Sequence, residues 1–236
     1  MRRSGPPRRS KPPARAWIRR VIRWGILILI GVHLLWATAL AGLRFINPVT
    51  TGVQLQRQLE AILTLSKYHQ VRKQLPLSQI SPDLQHAVIA AEDGRFYEHH
   101  GIDWKQVRKV AEESRESGEI SRGASTITQQ LVKNLFFTTH RNPIRKVCEY
   151  TLAPMADFIL GKQRVLELYL NNVEWGPGIF GAEAAAQFHY HVPASKLSRE
   201  QAARLSAILP SPRRRKPGRM NQYSAAIQTR MRQLGW

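Results

Sequence analysis

The 236-residue sequence contains a single cysteine, Cys148. That excludes an intramolecular disulfide and leaves any exported domain to stand on its hydrophobic core. Acidic residues are scarce as well: 16 Asp and Glu face 36 Lys and Arg, a formal net charge of +20. An imbalance of this size calls for an anionic partner. Alternating β-branched runs are few, so the body is expected to be mainly α. Neither His99-His100 nor His189-x-His191 has further ligands at helical spacing, so the histidines read as solvated or hydrogen-bonded groups rather than a metal site.

One stretch lacks charge altogether. Residues 24–43, WGILILIGVHLLWATALAGL, have no ionised side chain between Arg23 and Arg44, and twenty helical residues span roughly 30 Å of hydrocarbon. Residues 1–23 carry nine Lys or Arg and no acid. By the positive-inside rule this basic flank places the N-terminus in the cytoplasm and the remainder on the far side of the membrane. Small residues at Ala37, Ala39 and Ala41 would suit a signal peptidase, but both segments are long for a signal peptide, and the expectation is an uncleaved anchor. The chain divides accordingly into a basic tail (1–23), a transmembrane anchor (24–43), a membrane-proximal linker (44–80) and a catalytic-sized domain (81–236). The exported residues remain basic, with 27 Lys and Arg against 16 acids.

Within the linker one helix is expected near 52–68, between Pro48 and Pro76. Ser81-Pro82 then opens a helix whose apolar positions Leu84, Ala87, Val88 and Ala91 end at Glu92 and Asp93. A second helix is expected over about 125–137, with Ile127, Leu131 and Leu135 on one face and Thr126, Gln129, Gln130, Lys133 and Asn134 on the other. Asn142-Pro143 opens a third, in which Glu149 meets Arg145 and Lys146 at i, i+4 and i, i+3, and which Pro154 is expected to kink or end. Further helices are expected over 162–173, 182–189 and from the capping box at Ser198–Gln201 to Pro210, the last of the series. GPGIFG at 176–181 spells a dinucleotide fingerprint but follows a helix and contains Pro177, so it reads as a structural loop. Cys148 reads as a packing residue rather than a catalytic thiol.

Two acids at a helix end, a polar face bearing Gln-Gln and Lys-Asn, and a set of Arg and Lys have individually ordinary explanations. Together they suit a membrane-held diphosphate sugar. One carboxylate can take the proton of an attacking hydroxyl while cations hold the charge growing on a departing pyrophosphate. Cutting an ordinary glycosidic bond would instead require a protonated acid and a second carboxylate.

EDGRFYEHHG, GASTITQQLVKN, RKVCE, KQRVLELYLNNVEWGPGIFG and AARLSAILPSP resemble, in order, five motifs of the family 51 glycosyltransferases. The nearest branch is the monofunctional biosynthetic peptidoglycan transglycosylases. The resemblance covers about 81–212 and implies a lysozyme-like, two-lobed, mainly α fold whose smaller lobe dips into the membrane. It implies polymerisation of lipid II, with Glu92 as general base and Asp93 beside it, and His99 as scaffold of that loop. It further implies that Ser125, Thr126, Gln129, Gln130, Lys133 and Asn134 line the substrate groove, that Arg141, Arg145 and Lys146 add cationic contacts, and that Glu149 is the second important carboxylate. Lys162, Glu167, Tyr169 and Asn171 match a motif that is mostly structural. No cofactor is required by the resemblance; a divalent cation, Mg or Mn, at the pyrophosphate stays open, as do protein ligands for it.

The resemblance implies lipid II, the growing glycan strand and the cytoplasmic membrane as partners, leaves other cell-wall synthesis or division proteins open, and gives no role to nucleic acid. Ser-x-x-Lys and Lys-Thr-Gly, which mark the transpeptidase domain of bifunctional relatives, occur nowhere in the chain. The competing readings are a lysozyme-like hydrolase of finished glycan and a non-catalytic membrane protein that binds polyanions through residues 1–23.

Overall fold

The computed structural model describes residues 14–118, 125–140 and 142–236, with side chains from Trp17 onward. The described residues divide into two compact units between Ala39 and Leu40. Within the first, helix α1 (Ala14–Leu43) begins, and its stretch from Trp17 to Leu43 is long and apolar enough to cross a membrane. Two of its polar groups are satisfied locally: His33 Nδ1 lies 2.8 Å from Leu29 O, and Thr38 Oγ1 donates to Leu34 O at 2.9 Å. Such internal bonding is what hydrocarbon demands of a hydroxyl or imidazole.

Residues 40–236 form the body, and the expected boundary at residue 80 does not appear in it. Leu40 is fully buried, Arg44 donates to Ile159 O at 2.7 Å and Arg164 donates to Leu43 O at 2.9 Å. The linker supplies helix α2 (Gly52–Leu63), capped by Thr51, and the short strand β1 (Val71–Arg72). Strand β1 pairs in parallel with β3 (Ile179–Phe180), which pairs antiparallel with β2 (Glu174–Gly176). The GPGIFG stretch is therefore the β2–β3 hairpin. Gly178 is held at φ +75°, where a Cβ would lie 2.3 Å from His69 O, so only glycine permits β1 to approach.

Helix α3 (Pro82–Glu92) packs against α9 (Arg199–Ile208) and α10 (Asn221–Gln233). Helix α5 (Ile127–Phe136) packs against α2, α6 (Pro143–Leu160) and α7 (Lys162–Asn172). Helix α4 (Trp104–Ser117), capped by Asp103, and α8 (Ala182–Tyr190), seated on the small sheet, complete the body. Trp175, Tyr169, Phe96 and Phe180 are its largest fully buried side chains.

Of the two outcomes expected at Pro154, a kink or an end, the end does not occur: α6 runs on to Leu160, although proline withholds one helical N–H. One expectation is corrected. The helix from Ser198 is not the last, because α10 follows the basic Pro-Gly loop and buries Ser224, Ile227 and Met231.

Candidate active site

Helix α3 is built to carry an acid. Pro82 fixes its first turn, Leu84, Ala87, Val88, Ile89 and Ala90 are buried, and Glu92 is its last residue with Asp93 as C-cap. Asp93 is fully committed. Its carboxylate lies 2.9 and 3.0 Å from His99 Nε2 and accepts the Ile127 N–H at 3.0 Å, at the first turn of α5. An anion at a helix N-terminus is favourable, and the clamp fixes the end of α3 against the start of α5. Gly101 completes this corner: at φ +81°, a Cβ there would lie 2.5 Å from Ala153 O.

Glu92 is held differently. Gln130 Nε2 donates to its Oε2 at 2.7 Å, and Tyr169 Oη donates to Gln130 Oε1 at 2.9 Å. The network fixes the orientation of the amide, because the carboxylate can only accept and the phenol has a proton to give. Glu92 Oε1 is buried and has no partner. A cavity of about 390 Å³ opens beside it, walled by Gly94, Arg95, Gln106, Ser125 and, from α10, Arg230. Burial pushes the Glu92 carboxyl above the usual carboxylate range, with Asp93 adding to the rise; the Gln130 hydrogen bond, Lys133 and Arg215 hold it back.

The cations lie on α5 and α6. Arg145 Nη1 donates to Glu149 Oε1 at 2.6 Å, and Lys146 Nζ donates to Glu149 Oε2 at 3.1 Å and to Ser125 Oγ at 3.0 Å. Lys133 has no hydrogen-bond or ion-pair partner among the described residues. Burial lowers its ammonium from the usual lysine range, Glu149 and Glu92 raise it, and Arg145 and Lys146 lower it further. Arg145 Nε is likewise buried and without a partner. The arrangement thus offers one unpartnered carboxylate oxygen, one free ammonium and a pair of cations partly neutralised by a buried Glu.

Of the residues expected at the groove, Glu92, Gln130, Lys133, Ser125, Arg145, Lys146 and Glu149 converge. Gln129 and Asn134 do not: both are buried, Gln129 in a reciprocal capping box with Thr126 and Asn134 donating to Gln130 O at 2.8 Å. Thr126 reaches the cavity wall, but its hydroxyl accepts from Gln129 N and donates to Gly101 O at 2.6 Å. The polarity of Thr126 and Gln129 serves the start of the helix rather than a ligand, and that of Asn134 serves its last turn. Arg141 lies outside the described residues. Tyr169 and Arg215 act on Glu92 although nothing in the sequence aimed them there; the matching motif suggested only a structural Tyr169.

Protein side chains alone do not cage a divalent cation; one at the pyrophosphate would take most of its oxygens from the substrate. Both oxygens of Glu149 face cations, both of Asp93 are used, and among the described residues no three His, Cys, Asp or Glu cluster. Oxygen-rich, anionic surroundings are what Mg and Mn require.

The family model described as "Transglycosylase" matches residues 58–234. A protein of Agrobacterium fabrum named "Biosynthetic peptidoglycan transglycosylase" is 43% identical over 225 residues, covering 94% of this chain and 95% of its own. Proteins of the same name from Shewanella amazonensis, 43% identical over 94% of this chain and 91% of their own, and Laribacter hongkongensis, 39% identical over 84% and 86%, are similar to it as well. With its acid-tipped α3, its cation-lined α5 and α6, and a match over three quarters of its length, this chain belongs to the transglycosylase family.

Proposed function

We propose that the protein is a membrane-anchored peptidoglycan glycosyltransferase that polymerises lipid II into β-1,4-linked glycan. Glu92 Oε1 takes the proton of the acceptor sugar's 4-hydroxyl as the oxygen attacks C1 of the donor. The C1–O bond to the diphosphate breaks, configuration inverts and undecaprenyl pyrophosphate departs. Lys133, Arg145 and Lys146 face the charge that grows on that leaving group, and preorganised cations of this kind stabilise a transition state without reorganisation at the moment of reaction. Glu149 keeps the Arg145 and Lys146 side chains ordered, and Asp93 positions the base without itself exchanging a proton. The basic tail keeps the N-terminus in the cytoplasm and the body on the outer face of the cytoplasmic membrane.

The observation that carries this reading is the free Oε1 of Glu92, beside the cavity. A hydrolase of the lysozyme type works with two carboxyl groups, whereas here Asp93 and Glu149 have their oxygens engaged. The test is polymerisation of purified lipid II by the full-length protein and by Glu92→Gln, each with and without chelator. Loss of chain formation in the variant, and chain formation by the wild type under chelation, are expected. Muropeptide release from finished glycan by the wild type would instead favour the hydrolase.

A further inference from the structure

Away from Glu92, a second buried carboxylate has an oxygen that nothing in the protein satisfies. Glu174 opens strand β2 with its side chain 6% exposed. Its Oε2 accepts from Arg57 Nε at 3.1 Å and Arg57 Nη2 at 2.9 Å, while its Oε1 is buried without a partner. Desolvation pushes this carboxyl upward, and Arg57 opposes the shift. A bare acceptor in such a place favours any donor that can reach it.

Two adjoining cavities, of about 510 and 380 Å³, meet at Glu174 and share Arg57, Pro177 and Arg213. Arg57 is already divided between Glu174 and Glu60. Arg213 is half-exposed and approaches Glu60 only to 3.8 Å. Lys67 and Arg214, on the outer walls, have no ion-pair partner among the described residues. The site therefore has an unsatisfied acceptor buried in its wall and under-used cations at its rim. An amine alone would leave those cations without a counter-ion, and a dicarboxylate would oppose both Glu174 and Glu60. A ligand that carries an ammonium beside an anion answers both ends at once.

We propose that this cavity binds the zwitterionic head of an amino acid, with the ammonium on Glu174 Oε1 and the carboxylate on Arg213 assisted by Lys67 or Arg214. The site stands apart from Glu92, and its occupancy does not depend on the transferase reading.

The test is ligand-observed NMR titration of the full-length protein in detergent micelles with D-alanine, ethylamine, propionate and O-phosphoethanolamine, using wild type, Glu174→Gln and Arg213→Ala. Saturable D-alanine binding is expected, with ethylamine and propionate at least about tenfold weaker and both variants weakened by at least about tenfold. Arg213→Ala alters an exposed side chain, so it decides the matter should Glu174→Gln fail to fold. Absence of saturable D-alanine binding, wild-type affinity in either folded variant, or ethylamine binding as tight as D-alanine would overturn the proposal. Tighter binding of O-phosphoethanolamine would replace the amino-acid head by a lipid headgroup and overturn it equally. None of these outcomes touches lipid II polymerisation, so failure here and failure of the transferase reading are separable.

Discussion

Replacing Tyr169 by Phe removes one hydroxyl that touches no part of the cavity wall, yet it should change how the protein responds to pH. The phenol is buried and donates to Gln130 Oε1, which leaves the amide nitrogen to donate to Glu92. Burial, with Glu92 and Asp93 nearby, pushes the Tyr169 hydroxyl well above its usual range, so it remains a donor at any working pH. Without it the amide loses the contact that fixes its orientation and can turn its carbonyl toward Glu92. The ionised form of the base is then less favoured, and the acidic limb of the rate profile moves to higher pH. A hydrogen bond to a charged group is worth about 1.5–3 kcal/mol. At 1.36 kcal/mol per decade, the rate on the acid side should fall about 10- to 100-fold, while the alkaline plateau changes little. The assay is lipid II polymerisation across pH, beside thermal unfolding to correct for stability. A Tyr169→Phe profile superimposable on the wild type, or a fall that is uniform at all pH, would refute the role assigned to this network.

Asp93→Asn should act through the fold. It weakens charge-assisted bonds to His99 and Ile127 N, costing about 2 kcal/mol and lowering Tm by about 4–8 °C for a body of this size, measured by circular dichroism. Glu92→Gln should do the opposite. Because the folded carboxyl holds its proton more tightly than the unfolded one, its contribution to stability is greatest in acid and is lost as pH rises through the raised folded value. Gln has no such loss, so the Tm of the variant relative to wild type should climb from acid to neutral pH; a constant difference would contradict the burial of this charge. Lys133→Ala should reduce kcat by about 10²- to 10³-fold, the scale for removing one preorganised electrostatic contact, with Tm nearly unchanged; a change confined to KM would place Lys133 in ground-state binding only.

Much of the site was legible because the chemistry coincides with helix punctuation. Ser81-Pro82 sets where α3 begins, and its apolar stripe runs out at Glu92, so the acid pair at the helix end follows from spacing alone. Arg145, Lys146 and Glu149 were equally readable, because i, i+3 and i, i+4 neighbours meet whenever the helix forms. Polarity did not distinguish ligand-facing from inward-facing groups on α5. Thr126-x-x-Gln129 has the spelling of a capping box, and that local signal explains their burial better than a groove does. The small sheet escaped because strands of two or three residues have no readable period, and with it went the fact that residues 44–80 belong to the body. Helix α10 escaped because RRRKPGR before it reads as a basic tail and its buried stripe is sparse. The links from Tyr169 and Arg215 to Glu92 depend on tertiary packing between segments distant in sequence and leave no local trace.

The most direct test of the central claim is the initial rate of lipid II polymerisation by full-length wild-type protein and by Glu92→Gln on the wild type's alkaline plateau, with folding of both verified. If Glu92 Oε1 is the base, the variant loses about 10²- to 10⁴-fold in rate while remaining folded and at least as stable as the wild type. Chain formation by the folded variant within a few-fold of wild type would contradict the assignment.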